Sequence, residues 1–244
     1  MRARRRCFGT LSTMNQPTGE GLAANAAHDP RYVRFTNELL GVIAYGELSG
    51  FERLSSDARF SPTLADRAAL GRLAVLEFQH FELVSSHLAE RGIDVEEAML
   101  PFQGSVDAFH ERTRPGDWYE SLMKAYVTEA ISGDFYRALS GQLDGITRSL
   151  ISRIVSPEED DPFLRRRLKE ALAQDPRLAS RLALWGRRLV GEALTQAQRI
   201  GIEREFLSVL LVATTQDPVQ RSTDLFAELT RNHSRRMSSL GLTA

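Results

Sequence analysis

Along most of the chain, apolar residues recur every three or four positions, the period of an amphipathic helix and not of a strand. The first such run, DPRYVRFTNELLGVIAYGELSGFERLSSDA over 29–58, opens with Asp29 and Pro30, a helix start signal. The second, SPTLADRAALGRLAVLEFQHFELVSSHLAERG over 61–92, is expected to begin with Ser61 as N-cap and Pro62 at the first helical position, and to stop at Gly92. Each run is near 30 residues, which is about 45 Å of helix. Helices of that length suit a bundle.

A Pro- and Gly-interrupted connection over 93–116 leads to a third long helix over 117–143. After a turn at Asp144 and Gly145, the stretch 146–174 is again helical in pattern but broken or kinked at Pro157 and Pro162. Two further helices are predicted, one within 175–201 and one ending at Leu242. No alternating β-branched run flanked by hairpin turns occurs, so the expected class is all-α: a four-helix bundle with additional C-terminal helices. Residues 1–28 lack periodicity and are expected to be a disordered tail ahead of one helical domain over 29–244.

Composition narrows the class without choosing a function. The chain has 31 Lys and Arg against 32 Asp and Glu, so bulk charge directs it toward neither nucleic acid nor membrane. Cys7 is the single cysteine, which excludes an internal disulfide framework and a Cys-based zinc or CxxC redox site. A cytoplasmic protein is expected, since no apolar run reaches the roughly 20 residues of a membrane span.

The chemistry lies in the helices. Glu77 and His80 are three apart and share a helix face. If the first two helices form an antiparallel hairpin turning near Ser61 and Pro62, Glu47 stands at the height of Glu77, because residue 62 is the midpoint of the two. Glu47 also lies among Ala44, Tyr45, Leu48 and Phe51, and a buried ionised carboxylate is costly unless it is paired or bound to metal. The same ruler applied from Glu129 across the turn at Asp144 and Gly145 falls near 159, inside PEEDDP. This repeats the 30-residue separation of Glu47 and Glu77. Helical bundles build two-metal carboxylate sites from one Glu on each of two helices and Glu-x-x-His on each of the other two. The expected ligands are therefore Glu47, Glu77, His80 and Glu129, joined by Glu159 or Asp160. The fourth helix lacks its histidine, because Pro162 stands three residues after Glu159.

The segments AYGELSGFERL, LEFQHFELVSSHLAERGIDVEEAM, KAYVTEAISGDFYRAL and SRLALWGRRLVGEALTQAQ resemble the ferritin-like family related to the tRNA 2-methylthio-N6-isopentenyladenosine hydroxylase. The likeness covers most of residues 32–240. It implies a non-haem di-iron hydroxylase that activates dioxygen and oxidises an unactivated C–H bond. Glu47, Glu77 and His80 match its metal positions, and Glu129 falls at the third-helix carboxylate; the fourth-helix Glu-x-x-His is not reproduced at PEEDDP. The partners this implies are a modified tRNA or a small-molecule substrate, an electron donor and a second copy of the chain. The opposing reading is a non-catalytic bundle that kept the fold and lost the chemistry; iron storage or peroxide scavenging ranks behind both.

Other polar residues are expected to be structural. His87 shares the face of His80 two turns on, and His110 and His233 fall in a connector and a polar terminal helix. Tyr126 and Tyr136 are expected to pack with a polar tip. Glu192 is followed on its face by Thr195 and Gln196 and is expected to pair with Arg187 or Arg188. The arginines at 165–167, 187–188 and 235–236 are expected to be solvated faces, with an RNA surface as the alternative.

Overall fold

A computed structural model describes residues 29–155, 161–204 and 218–243. The tail over 1–28 and the PEEDDP residues Glu158, Glu159 and Asp160 lie outside these described residues. The elements are α1 (Pro30–Asp57), a short 3₁₀ turn (Ala58–Phe60), α2 (Leu64–Glu90), α3 (Val95–Arg112), α4 (Trp118–Ser140), α5 (Gly145–Ile154), α6 (Pro162–Gln174), α7 (Leu178–Arg204) and α8 (Pro218–Ser239). No strand occurs among the described residues. No helix among them is long and apolar enough to cross a membrane.

Helices α1 and α2 form the antiparallel hairpin that the sequence predicts. Asp29 caps α1 by accepting from the Arg31 amide at 2.8 Å. The start of α2 differs from expectation. Its N-cap is Thr63 and not Ser61: Thr63 Oγ1 accepts from the Asp66 amide at 3.1 Å and donates to the Asp66 carboxylate at 2.8 Å. Ser61 instead closes the 3₁₀ turn. At the far end, Gly92 takes φ of 72°. The Ile93 amide then donates to Leu88 O and the Gly92 amide to Ala89 O, which is the Schellman arrangement that satisfies the last carbonyls of a helix.

Two expectations are corrected in the second half. The connection over 93–116 contains a genuine helix, α3, which accommodates Pro101. It lies so close to α1 that a Cβ at Gly41 would collide with the Ala98 carbonyl. The long partner of α4 is α7, not the stretch 146–174. The described parts of that stretch are α5 and α6, of 10 and 13 residues against the 23 of α4, so neither can run its length. Helices α1, α2, α4 and α7 make the bundle, α3 covers α1 and α7, and α8 packs on α4 and α7.

The core is divided into two layers. One gathers Ala58, Leu70, Trp118, Leu122, Leu182 and Leu189; the other gathers Phe35, Leu39, Ile43, Val84, Leu88 and Ile151. Along α1 the first layer ends at Leu54 and the second begins at Ala44, and along α2 the corresponding residues are Leu73 and Phe81. The polar residues Glu47, Glu77 and His80 fall between them. Apolar layers above and below fix the height of this polar level.

Candidate metal centre

Three residues converge at that level. Glu47 on α1 and Glu77 and His80 on α2 bring one ligand atom each to within 4.8 Å of one another. His80 Nδ1 lies 3.2 Å from Glu47 Oε2. Room for the Glu77 carboxylate comes from Gly50, one turn beyond Glu47: a Cβ there would stand 2.9 Å from Glu77 Oε2. Glu47 is only 6% exposed.

Burial dominates the electrostatics. It pushes the Glu47 carboxyl up to about 7, aided by the nearby charge of Glu129 and opposed by a hydrogen bond with Glu77. The Glu77 carboxyl is raised well above the ordinary carboxylate range, first by burial and then by the charge of Glu47. Burial lowers His80, while Glu77 and Glu129 oppose that shift. The Glu47 charge disfavours ionisation of Glu77, whose carboxyl in turn hydrogen-bonds Glu47, so a proton is held between the two. A divalent cation removes that conflict by taking the place of the proton.

The donor set fits such an ion. Carboxylate oxygens and imidazole nitrogens bind divalent metals at roughly 2.0–2.2 Å, so donors on opposite sides of an ion lie about 4 Å apart, and small side-chain shifts close the observed group to that size. Glu129 on α4 lines the same cavity as these three and acts electrostatically on Glu47 and His80. Glu159 and Asp160 lie outside the described residues. A two-metal site of the bundle type uses four glutamates and two histidines; among the described residues, the group around Glu47 comprises three carboxylates, Glu47, Glu77 and Glu129, and one imidazole, His80.

The centre opens on a cavity of about 580 Å³, walled by all the long helices and largely apolar. Residues 30–214 match the family model of the ferritin-like domain of actinomycetes. The chain belongs to this ferritin-like family. A comparison with curated proteins found no match.

Within this ferritin-like domain, several polar residues stand differently from expectation. Tyr136 lines the cavity, and burial together with the Glu47 and Glu77 carboxylates raises its phenol well above the ordinary range. Tyr126 is instead in the apolar core. Glu192 pairs with Arg112, from α3, at 3.0 Å, and not with Arg187 or Arg188; it also accepts from Gln196 Nε2 at 2.7 Å. Gln196 is 5% exposed, lines the cavity, and its Oε1 is buried without a hydrogen-bond partner among the described residues. Its signal in the sequence is an amide at the helical spacing of Leu189, Ala193 and Ile200. His110 also reaches the cavity, a position hidden as long as 93–116 is read as a connector.

Proposed function

We infer that the protein is an iron-dependent oxygenase of the cytoplasm that hydroxylates a small organic substrate. The observation that carries this reading is the largely buried Glu47, Glu77 and His80 group opening directly onto a mostly apolar cavity. When bound by such carboxylate and imidazole donors, iron supplies dioxygen activation and oxidation of an unactivated C–H bond. The protein's own contribution is positional. Glu47 and Glu77 release their shared proton to accept the ion, with Glu129 as the third carboxylate and His80 as the nitrogen donor. Tyr136 holds a phenolic proton beside the two carboxylates, and the apolar walls keep bulk water away from the reacting atoms.

A small substrate is favoured over tRNA by the fate of the arginines. Arg167 is paired with Asp66 at 2.9 Å, Arg236 is buried on Asp134 at 2.6 Å, and Arg188 donates to the Arg112 carbonyl. Three of the arginines grouped at 165–167, 187–188 and 235–236 are thus engaged within the fold instead of being presented as a basic face.

The test is ferrous loading of the purified chain without oxygen, followed by metal analysis and measurement of dioxygen uptake with a chemical reductant. At least one iron per chain and uptake abolished by Glu77→Ala are expected; well under one iron per chain sinks the reading. The single imidazole at the Glu47 level among the described residues, where a two-metal bundle site has two, supports the second reading, a bundle that has lost its chemistry. That reading requires dioxygen uptake to be absent in the parent protein and Glu77→Ala to be without consequence.

A further inference from the structure

The cavity is polar at a second place, and with the opposite charge. Arg53 follows Glu47 by six residues on α1, and Lys124 precedes Glu129 by five on α4. Glu129 acts on Glu47, whereas Lys124 acts on and is acted on by Arg53 and Asp57. Helices α1 and α4 are therefore antiparallel at this point, and both cations fall on the same side of the carboxylate level, roughly 8–9 Å along the bundle at the helical rise.

His110 from α3 joins them at the cavity wall. Arg53 Nε and His110 Nδ1 are buried with no hydrogen-bond partner among the described residues. The Lys124 side chain is 5% exposed, with its ammonium 5.5 Å above the Phe109 ring. Burial holds that ammonium down at about 8, still largely charged at neutral pH, and burial with the two neighbouring cations holds His110 neutral, near 3. The acids acting on the cluster are Asp57, inside the cavity, and Glu111, on the exposed side of α3.

At this end of the cavity the count among the described residues is two cations against one carboxylate, with an unfilled donor on the Arg53 guanidinium and an unpartnered ring nitrogen on His110. Buried donors are costly to leave unfilled, and a guanidinium fits a planar carboxylate well. The apolar lining of the cavity around and below these groups includes Leu54, Leu73, Ala125 and Leu194. We propose that the Arg53, His110 and Lys124 end of the cavity binds the carboxylate head of an aliphatic monocarboxylic acid, whose apolar tail lies toward Glu47, Glu77 and His80. One excess positive charge matches a monoanion. The reverse orientation takes the head away from both cations and sets it among the carboxyls of Glu47, Glu77 and Glu129.

As a binding site this stands on the cavity alone; as the identity of the substrate it rests on the oxygenase reading. The test is calorimetric titration of the full chain in EDTA with decanoate, decan-1-ol and decyl phosphate. Decanoate is expected to bind about tenfold or more tightly than decanol, and Arg53→Gln or Lys124→Met each to erase that preference. Retained decanol binding shows that the variants are folded. Equal affinity for acid and alcohol, no binding of either, tighter binding of the phosphate, or an undiminished preference in both variants overturns the proposal. Because these titrations are metal-free, iron analysis of the same preparations can fail or succeed independently.

Discussion

Gly50→Ala separates the stability of the fold from the integrity of the centre. Position 50 is in the interior of α1, where alanine is favoured over glycine by about 1 kcal/mol. The new Cβ would stand 2.9 Å from Glu77 Oε2 and 3.3 Å from its Cδ, distances too short to persist. The obstructed group is the tip of a flexible side chain, so the backbone stays and the carboxylate swings aside, at a rotamer cost of about 0.5–1.5 kcal/mol. Apo stability is therefore expected to change by less than about 1 kcal/mol in either direction. Metal affinity is expected to fall by about 10–100-fold, the range seen when the shell supporting a ligand is disturbed. Cobalt(II) titration followed by its visible absorption measures the affinity, and urea unfolding in EDTA measures the stability. A Gly50→Ala protein that binds cobalt within about twofold of the parent refutes the assignment of Glu77 as a ligand placed by Gly50.

Two other outcomes follow from buried charge. The Glu47 carboxyl rises from 4.5 to about 7 on folding, so between these values the folded chain keeps a proton that the unfolded chain has released. The stability of the metal-free protein should therefore fall as pH rises through this window, by on the order of 3 kcal/mol in total, and level off above it. Glu77 is shifted in the same direction. Urea unfolding in EDTA at either end of the window checks this; Glu47→Gln should flatten the slope, and stability that increases with pH contradicts the argument. On the opposite face, Arg236 donates to both oxygens of Asp134, at 2.7 and 2.6 Å, with both side chains buried. Asp134→Ala takes both of these bonds from a buried guanidinium and should cost about 3–5 kcal/mol, whereas Asp134→Leu combined with Arg236→Met should recover most of the loss. A single variant within about 1 kcal/mol of the parent in thermal or urea unfolding counts against it.

The first hairpin is legible in the sequence because its two helices are continuous, nearly equal in length and joined by a short turn. Height can then be computed from a midpoint, and Glu47 meets the pair Glu77 and His80 where that rule puts them. The rule fails for the second pair because it takes the next helical segment as the partner. Pro157 and Pro162 are visible, but periodicity alone does not reveal that α5 and α6 are too short to match α4 while α7, beyond them, is not. The spacing from Glu129 to Glu159 echoes the first hairpin without the topology that gives the first its meaning. His110 and Lys124 were obscured for a different reason: each is one polar residue among several on its own helix, and only packing shows that they share a cavity with Arg53.

The chain between the two halves of the bundle has a consequence of its own. The residues proposed to hold the metal are on α1, α2 and α4, but part of the cavity wall is Ser152, Ile154 and Val155 at the end of α5 and Leu164 on α6. What the pocket admits and what retains the metal are written in separate stretches of sequence. Substitutions at these wall positions of α5 and α6 can therefore recut the shape of the chamber without touching Glu47, Glu77, His80 or Glu129.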